Sequence, residues 1–178
     1  MWNDVFEKEW EKRPGAKREE LHVFLQMWND ALSVQELQEI RARQKNPFPK
    51  SSPFYEQYVP LDPSSWSFPK RPLPDSHAHL LTYSNGGEFQ NGERIFQFHG
   101  TPDFREMNLA YEFAEYMPGS VSFAMDGSGN HYIFDMREPS RNGEYPILFA
   151  HSGNLGYEDC VQVADSLPEL CRGTDEIG

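Results

Sequence analysis

Val121-Ser122-Phe123-Ala124-Met125-Asp126-Gly127-Ser128-Gly129-Asn130-His131-Tyr132-Ile133-Phe134-Asp135-Met136 is the stretch that decides how the second half of this chain folds. Val121, Phe123 and Met125 alternate with Ser122 and Ala124. Tyr132, Phe134 and Met136 alternate again after the turn. Period-two alternation marks a strand with one buried face. Asp-Gly-Ser-Gly-Asn between two such runs is a strong hairpin signal. The spacing predicts an antiparallel hairpin over 121–136 that turns at Gly127–Gly129.

The flanks add helices and further strands. Upstream, Met107, Ala110, Phe113, Ala114 and Met117 have helical spacing, and Pro118-Gly119 ends that helix. Arg94 to Phe98 suits a strand. Pro74 to Tyr83 suits a short helix, with proline near its first turn and Asn85-Gly86-Gly87 as its stop. Downstream, Ile147 to Ala150 reads as a strand. Cys160 to Leu170 reads as a closing helix, with Val161, Ala164, Leu167 and Leu170 on one side. The expected class over 73–178 is α+β.

The first 45 residues read as a helical extension. Leu21, Phe24, Leu25 and Trp28 make one apolar stripe. Ser33 and Glu36 form a capping box for a second helix whose buried face is Val34, Leu37 and Ile40. A further short helix is expected over Val5, Phe6 and Trp10, ending near Pro14-Gly15. Residues 46–72 differ again. Seven prolines break any regular ladder there, yet Phe48, Phe54, Tyr55, Tyr58, Trp66 and Phe68 are too many aromatics for a flexible linker. The expectation is an ordered arm that buries Trp66 and Phe68 against the body.

Charge narrows the function classes. Of 178 residues, 28 are acidic and 16 are Lys or Arg, for a net charge of -12. Residues 1–70 hold 11 acids and 10 bases, whereas residues 71–178 hold 17 acids and 6 bases. Nucleic acid and anionic membrane both need a basic surface, so neither is expected as a ligand. A basic protein partner is. The first twenty residues hold no apolar signal core, and no apolar run approaches the ~18 residues of a membrane span. The default expectation is a soluble cytoplasmic protein. The two cysteines, Cys160 and Cys171, are not spaced as a metal knuckle and are expected to be reduced thiols.

Each motif that resembles an active site lacks its context. Asp75-Ser76-His77-Ala78-His79 looks like a metal-binding His-x-His, but no hydrophobic strand precedes it. On a helix the two imidazoles diverge by about 200°, so they cannot share a metal. Asp126 to Asn130 begins like a calcium loop, but His131 and Arg137 stand where glycine and glutamate are needed. No Lys-Ser/Thr follows those glycines, which excludes a phosphate loop. His99, His131 and His151 lie at or near strands, where convergence cannot be read from sequence. Neither cysteine has the basic surroundings that activate a thiol. No metal, cofactor or catalytic residue is expected.

Four segments, taken in order, resemble the SUKH superfamily of fungal cell-wall-synthesis regulators and bacterial toxin-immunity proteins. They are Leu73-Pro74 with its helix and Tyr83-Ser84-Asn85-Gly86-Gly87; Met117-Pro118-Gly119-Ser120-Val121-Ser122-Phe123-Ala124; Asp126 through Asp135; and Val163-Ala164-Asp165-Ser166-Leu167-Pro168-Glu169-Leu170. The resemblance covers roughly 70–173. It implies a curved, mainly antiparallel sheet packed by helices. It also implies a non-catalytic binding role, in which an immunity protein blocks a cognate toxin, often a nuclease, or a regulatory adaptor of the same fold has no toxin. A small metal-dependent hydrolase built on the histidines is the rival from another class.

For the binding reading, the acids interleaved with aromatics around the expected sheet are the candidate contacts. These are Glu88, Glu93, Asp103, Glu106, Asp126, Asp135, Glu138 and Glu144. Carboxylates beside surface aromatics suit the cationic cleft of a basic toxin domain.

Overall fold

The hairpin is the centre of a seven-stranded, fully antiparallel sheet whose spatial order follows the chain from first strand to last. In the computed structural model, which describes residues 2–177, the strands are β1 (Lys8–Lys12), β2 (Gly87–Asn91), β3 (Arg94–Phe98), β4 (Ser120–Met125), β5 (Asn130–Asp135), β6 (Ile147–His151) and β7 (Val161–Ala164). The helices are α1 (Arg18–Met27), α2 (Val34–Arg43), α3 (Asp75–Tyr83), α4 (Phe104–Ala110), α5 (Phe113–Tyr116) and α6 (Leu167–Arg172). The class is α+β, and the sheet does not close into a barrel. Among the described residues, no helix is long and apolar enough to cross a membrane.

The β4–β5 turn is fixed by one carboxylate. Asp126 accepts hydrogen bonds from the Ser128 N–H at 2.8 Å, the Asn130 N–H at 3.0 Å and the Asn130 side-chain amide at 2.8 Å. Gly127 and Gly129 both take positive φ there, 82° and 89°, which glycine adopts without a Cβ penalty. In β5, Tyr132 and Phe134 enter the main core while Ile133 enters a second cluster with Phe113, Met117, Leu148 and Ala150. Successive strand side chains point to opposite faces, so β4–β6 are buried on both.

Several expectations need correction. The stretch Val5 to Trp10 is not a helix. A 3-10 turn over Trp2–Asp4 leads into β1, and Trp10 is 60% exposed. β1 pairs with β2, a strand that sequence reading passed over. Gly87 explains the pairing: a Cβ there would stand 2.1 Å from the Glu11 carbonyl oxygen. Asn85-Gly86-Gly87 therefore serves this approach as well as the end of α3, whose cap is Ser84. The helix expected across Met107–Met117 is two helices, broken where Glu112 adopts left-handed φ of 61°. The closing helix is also two elements. Residues 161–164 form β7, and only Leu167–Arg172 is helical.

The capping box of α2 forms as read, with Ser33 N–H donating to Glu36 at 2.9 Å and Glu36 N–H to Ser33 Oγ at 3.1 Å. Ile40 is buried, but Val34 is exposed. Of the α1 stripe, Phe24 and Trp28 are buried and Leu25 is not. In the arm, Trp66 and Phe68 are buried, whereas Phe48 and Phe54 meet in a tilted ring contact at the surface. The burial of the arm is confined to its second half.

Candidate protein-binding surface

The histidines form the most catalytic-looking group in the molecule. His99 Nε2 lies 3.0 Å from Ser122 Oγ, and His131 Nδ1 lies 2.8 Å from the same oxygen. Asn108 seals the group. Its amide donates to the carbonyl oxygens of Phe104 and Ser122, and its oxygen accepts from the Ser122 N–H. A serine between two imidazoles has the composition of a nucleophile with its base. Ser122 and His131, however, are wholly buried, and His131 is packed between the rings of Tyr111 and Phe113. No reacting atom can come within the hydrogen-bond reach that such chemistry needs. Burial pushes His99 down to about 3 and His131 to about 4, so both are neutral at pH 7. His151, on β6 opposite Asn130, is exposed and forms no hydrogen bond with Ser122.

His77 and His79 part company on α3. His77 sits among Phe104, Phe123 and Phe134, where burial, with a smaller contribution from His99, lowers it to about 3. His79 faces solvent. Among the described residues, no group of three or more His, Cys, Asp or Glu side chains is placed to hold a metal ion. Both cysteines are free, and burial raises both thiols, opposite to the shift that activates a nucleophile.

The eight candidate acids do not share one face. Asp126 is consumed by its turn. Glu88 lies half-buried on the face of β2 opposite Phe89 and accepts from Gln97 at 3.4 Å. Glu93 is exposed in the β2–β3 turn, and Asp103 is exposed before α4. Glu106 pairs with Arg43 of α2 at 3.0 Å. The remaining three come together. Asp135, Glu138 and Glu144 line a cleft of about 830 Å³ between the β5–β6 connection and the end of β7.

Within the cleft the three acids have different duties. Asp135 holds Arg137 through two bonds of 2.9 Å. Its burial opposes ionisation, but the Arg137 hydrogen bonds outweigh it and keep the carboxyl below its usual range. The guanidinium of Arg137 also lies 3.6 Å over the Tyr157 ring. Glu144 braces the fold by accepting from Ser76 Oγ at 2.6 Å and from the Leu167 N–H at 3.1 Å, at the start of α6. Glu138 is exposed and forms no ion pair among the described residues. Asp165, also on the cleft wall, is not among the candidate acids, because the closing helix expected over Cys160 to Leu170 puts it in a helix interior. Its place after the strand Val161–Ala164 turns it outward instead.

The molecule so described is an α+β module with His77, His99 and His131 sealed inside and a carboxylate-rich cleft open to solvent. The chain belongs to the SMI1 / KNR4 family (SUKH-1), whose family model matches residues 68–173. No curated protein matches the chain. The family is generally non-catalytic, and membership fits an immunity or regulatory module.

Proposed function

We propose that the chain is a stoichiometric immunity protein that binds and blocks a basic toxin domain, nuclease domains being the leading class. The acidic cleft is the observation that carries this reading. Asp135, Glu138, Glu144 and Asp165 gather there with two arginines, Arg137, which Asp135 holds, and Arg141, in a part of the chain with nearly three carboxylates for every base. A nuclease must present cations to phosphates, and an acidic surface competes for those cations while steering encounter.

The test is survival. Coexpression with a basic toxin domain encoded beside this gene restores growth, and Glu138→Lys with Asp165→Lys removes the rescue while circular dichroism stays unchanged. Association slows steeply with salt, because the Debye length falls from about 10 Å at 0.1 M to about 3 Å at 1 M. Rescue that survives the reversal moves the contact off the cleft. No rescue of any neighbouring toxin leaves the regulatory adaptor as the reading.

A further inference from the structure

The sheet has two free edges, and they are built differently. β1, at one end, carries Lys8, Glu9, Glu11 and Lys12 and is bulged at Trp10. Charges and bulges are how sheets block further pairing. β7, at the other end, is also bulged, at Val163, but its sequence Val161-Gln162-Val163-Ala164 carries no charge and no proline, so the two edges differ in charge. Among the described residues only β6 pairs with it, through Ile147↔Ala164, Leu148↔Gln162 and Phe149↔Val161. Among the described residues, the backbone groups of 161–163 make no backbone hydrogen bond beyond that ladder. Val161 is 54% exposed.

The surroundings of this edge state what suits it. Glu158 and Asp159 precede it and Asp165 follows it, all exposed. The cleft with Glu138 opens beside its C-terminal end. Glu138, Glu158 and Asp159 have no ion-pair partner among the described residues. The Gln162 amide donates to Asp165 at 2.8 Å. Of the two arginines that line the cleft, Arg137 is paired with Asp135, so Glu138, Glu158, Asp159 and Asp165 face one remaining cation of the cleft, Arg141.

We propose that β7 is a docking edge for an extended lysine- or arginine-rich segment of a partner protein, which adds to the sheet as an eighth strand. The main chain of the added strand supplies affinity by pairing with 161–163. Its basic side chains supply selection by reaching the flanking carboxylates and the cleft. A second copy of this chain is a poor occupant. Antiparallel pairing centred on Gln162 sets Asp159 of one copy opposite Asp165 of the other, and parallel pairing aligns each acid with itself. Like charges across a strand pair are destabilising. The inference rests on the partner being basic, as proposed above, but not on its being a toxin.

The experiment uses the full chain and three labelled ten-residue probes. One alternates lysine with valine, one is the same peptide N-methylated at every second amide, and one alternates glutamate with valine. Fluorescence anisotropy should show the lysine peptide binding at least tenfold more tightly than its methylated form, and no binding of the glutamate peptide. Hydrogen exchange of the Val161–Val163 amides should slow at least tenfold in the complex. Equal binding of methylated and unmethylated probes overturns strand addition and leaves attraction by charge alone. Protection at β1 instead of β7, or no binding at 1 mM peptide, also overturns it. A dimer in sedimentation, lost in Val161→Lys, replaces the basic strand with a second copy. Peptide binding that persists without toxin rescue separates failure of the immunity reading from failure of this one.

Discussion

Residues 2–67, outside the family match, and residues 68–173, inside it, bury themselves in different ways. Inside the match, burial is spread along strands. Five of the six residues of β4 are buried, as are four consecutive residues of β5. Outside it, burial is concentrated in a few large anchors set among exposed neighbours: Trp2, Phe24, Trp28, Ile40 and Trp66. These anchors share the core of the matched region. Phe24 and Trp28 pack edge-on against Phe104, and Trp28 packs against Phe68. The Trp66 indole N–H donates to Glu115 at 2.7 Å. The difference teaches that, apart from β1, which pairs along β2, the extension is joined to the core at points, so single truncations of those anchors carry large effects.

The strongest test of that contrast is Trp28→Ala. Losing a buried tryptophan costs about 3–5 kcal/mol. Urea unfolding read by both near- and far-ultraviolet circular dichroism should remain one transition with a lower midpoint. Two separated transitions would show that the extension and the sheet unfold independently. Trp10→Ala, on the exposed β1, should shift stability by no more than about 0.5 kcal/mol.

Next in size is the acid sensitivity of the matched core. His77, His99 and His131 have folded pKa values below the ordinary 6.5. Below 6.5 the unfolded chain binds more protons than the folded one. The stability they permit is therefore complete above 6.5 and is lost as pH falls toward 3–4. Each histidine contributes a slope of up to about 1.4 kcal/mol per pH unit in that window. His77→Leu should leave stability at pH 7 close to wild type, since its Nδ1 has no hydrogen-bond partner, and flatten the fall between pH 6 and 4. An unchanged slope in urea titrations at pH 7, 6, 5 and 4 would remove His77 from this account.

A smaller effect is expected at the polar joint between the two regions. Arg105 of α4 grips Glu36 of α2 with two bonds of 2.8 Å and also donates to the carbonyl oxygens of Trp28, Asp30 and Ala31. Hydrogen bonds from Arg105 are the main reason the Glu36 carboxyl is lowered to about 2. A depressed carboxylate stabilises above its unfolded pKa near 4.5, and that contribution fades as pH falls toward 2. Arg105→Ala should cost about 2 kcal/mol at pH 7 and lose the part of the acid dependence that lies between pH 4.5 and 2. Proteolysis within residues 28–36 should quicken in the variant. Unchanged cleavage would show that the anchors hold α2 without this ion pair.

The sequence by itself determined the elements whose signals are local. The β4–β5 hairpin follows from period-two alternation and a turn that one aspartate can fix. The start of α2 follows from Ser33 and Glu36, three residues apart. The opposite placement of His77 and His79 follows from helical geometry alone. Four segments in order also carried the family. Only the tertiary structure decided the rest. Lys8–Lys12 has no alternation to read, and it is a strand because β2 offers it an edge and Gly87 lets its backbone approach. Val161, Ala164, Leu167 and Leu170 have helical spacing, yet β6 claims the first four residues of that run for the sheet, and the helix starts only after Ser166 caps it. Glu112 breaks a helix whose spacing was unbroken. The cleft joins residues 135–146 to residues 162–166, and Ser122 joins two histidines 32 positions apart in the chain. Periodicity and capping act over three or four residues. Strand edges, close backbone approach and shared burial act between segments whose meeting no local pattern records.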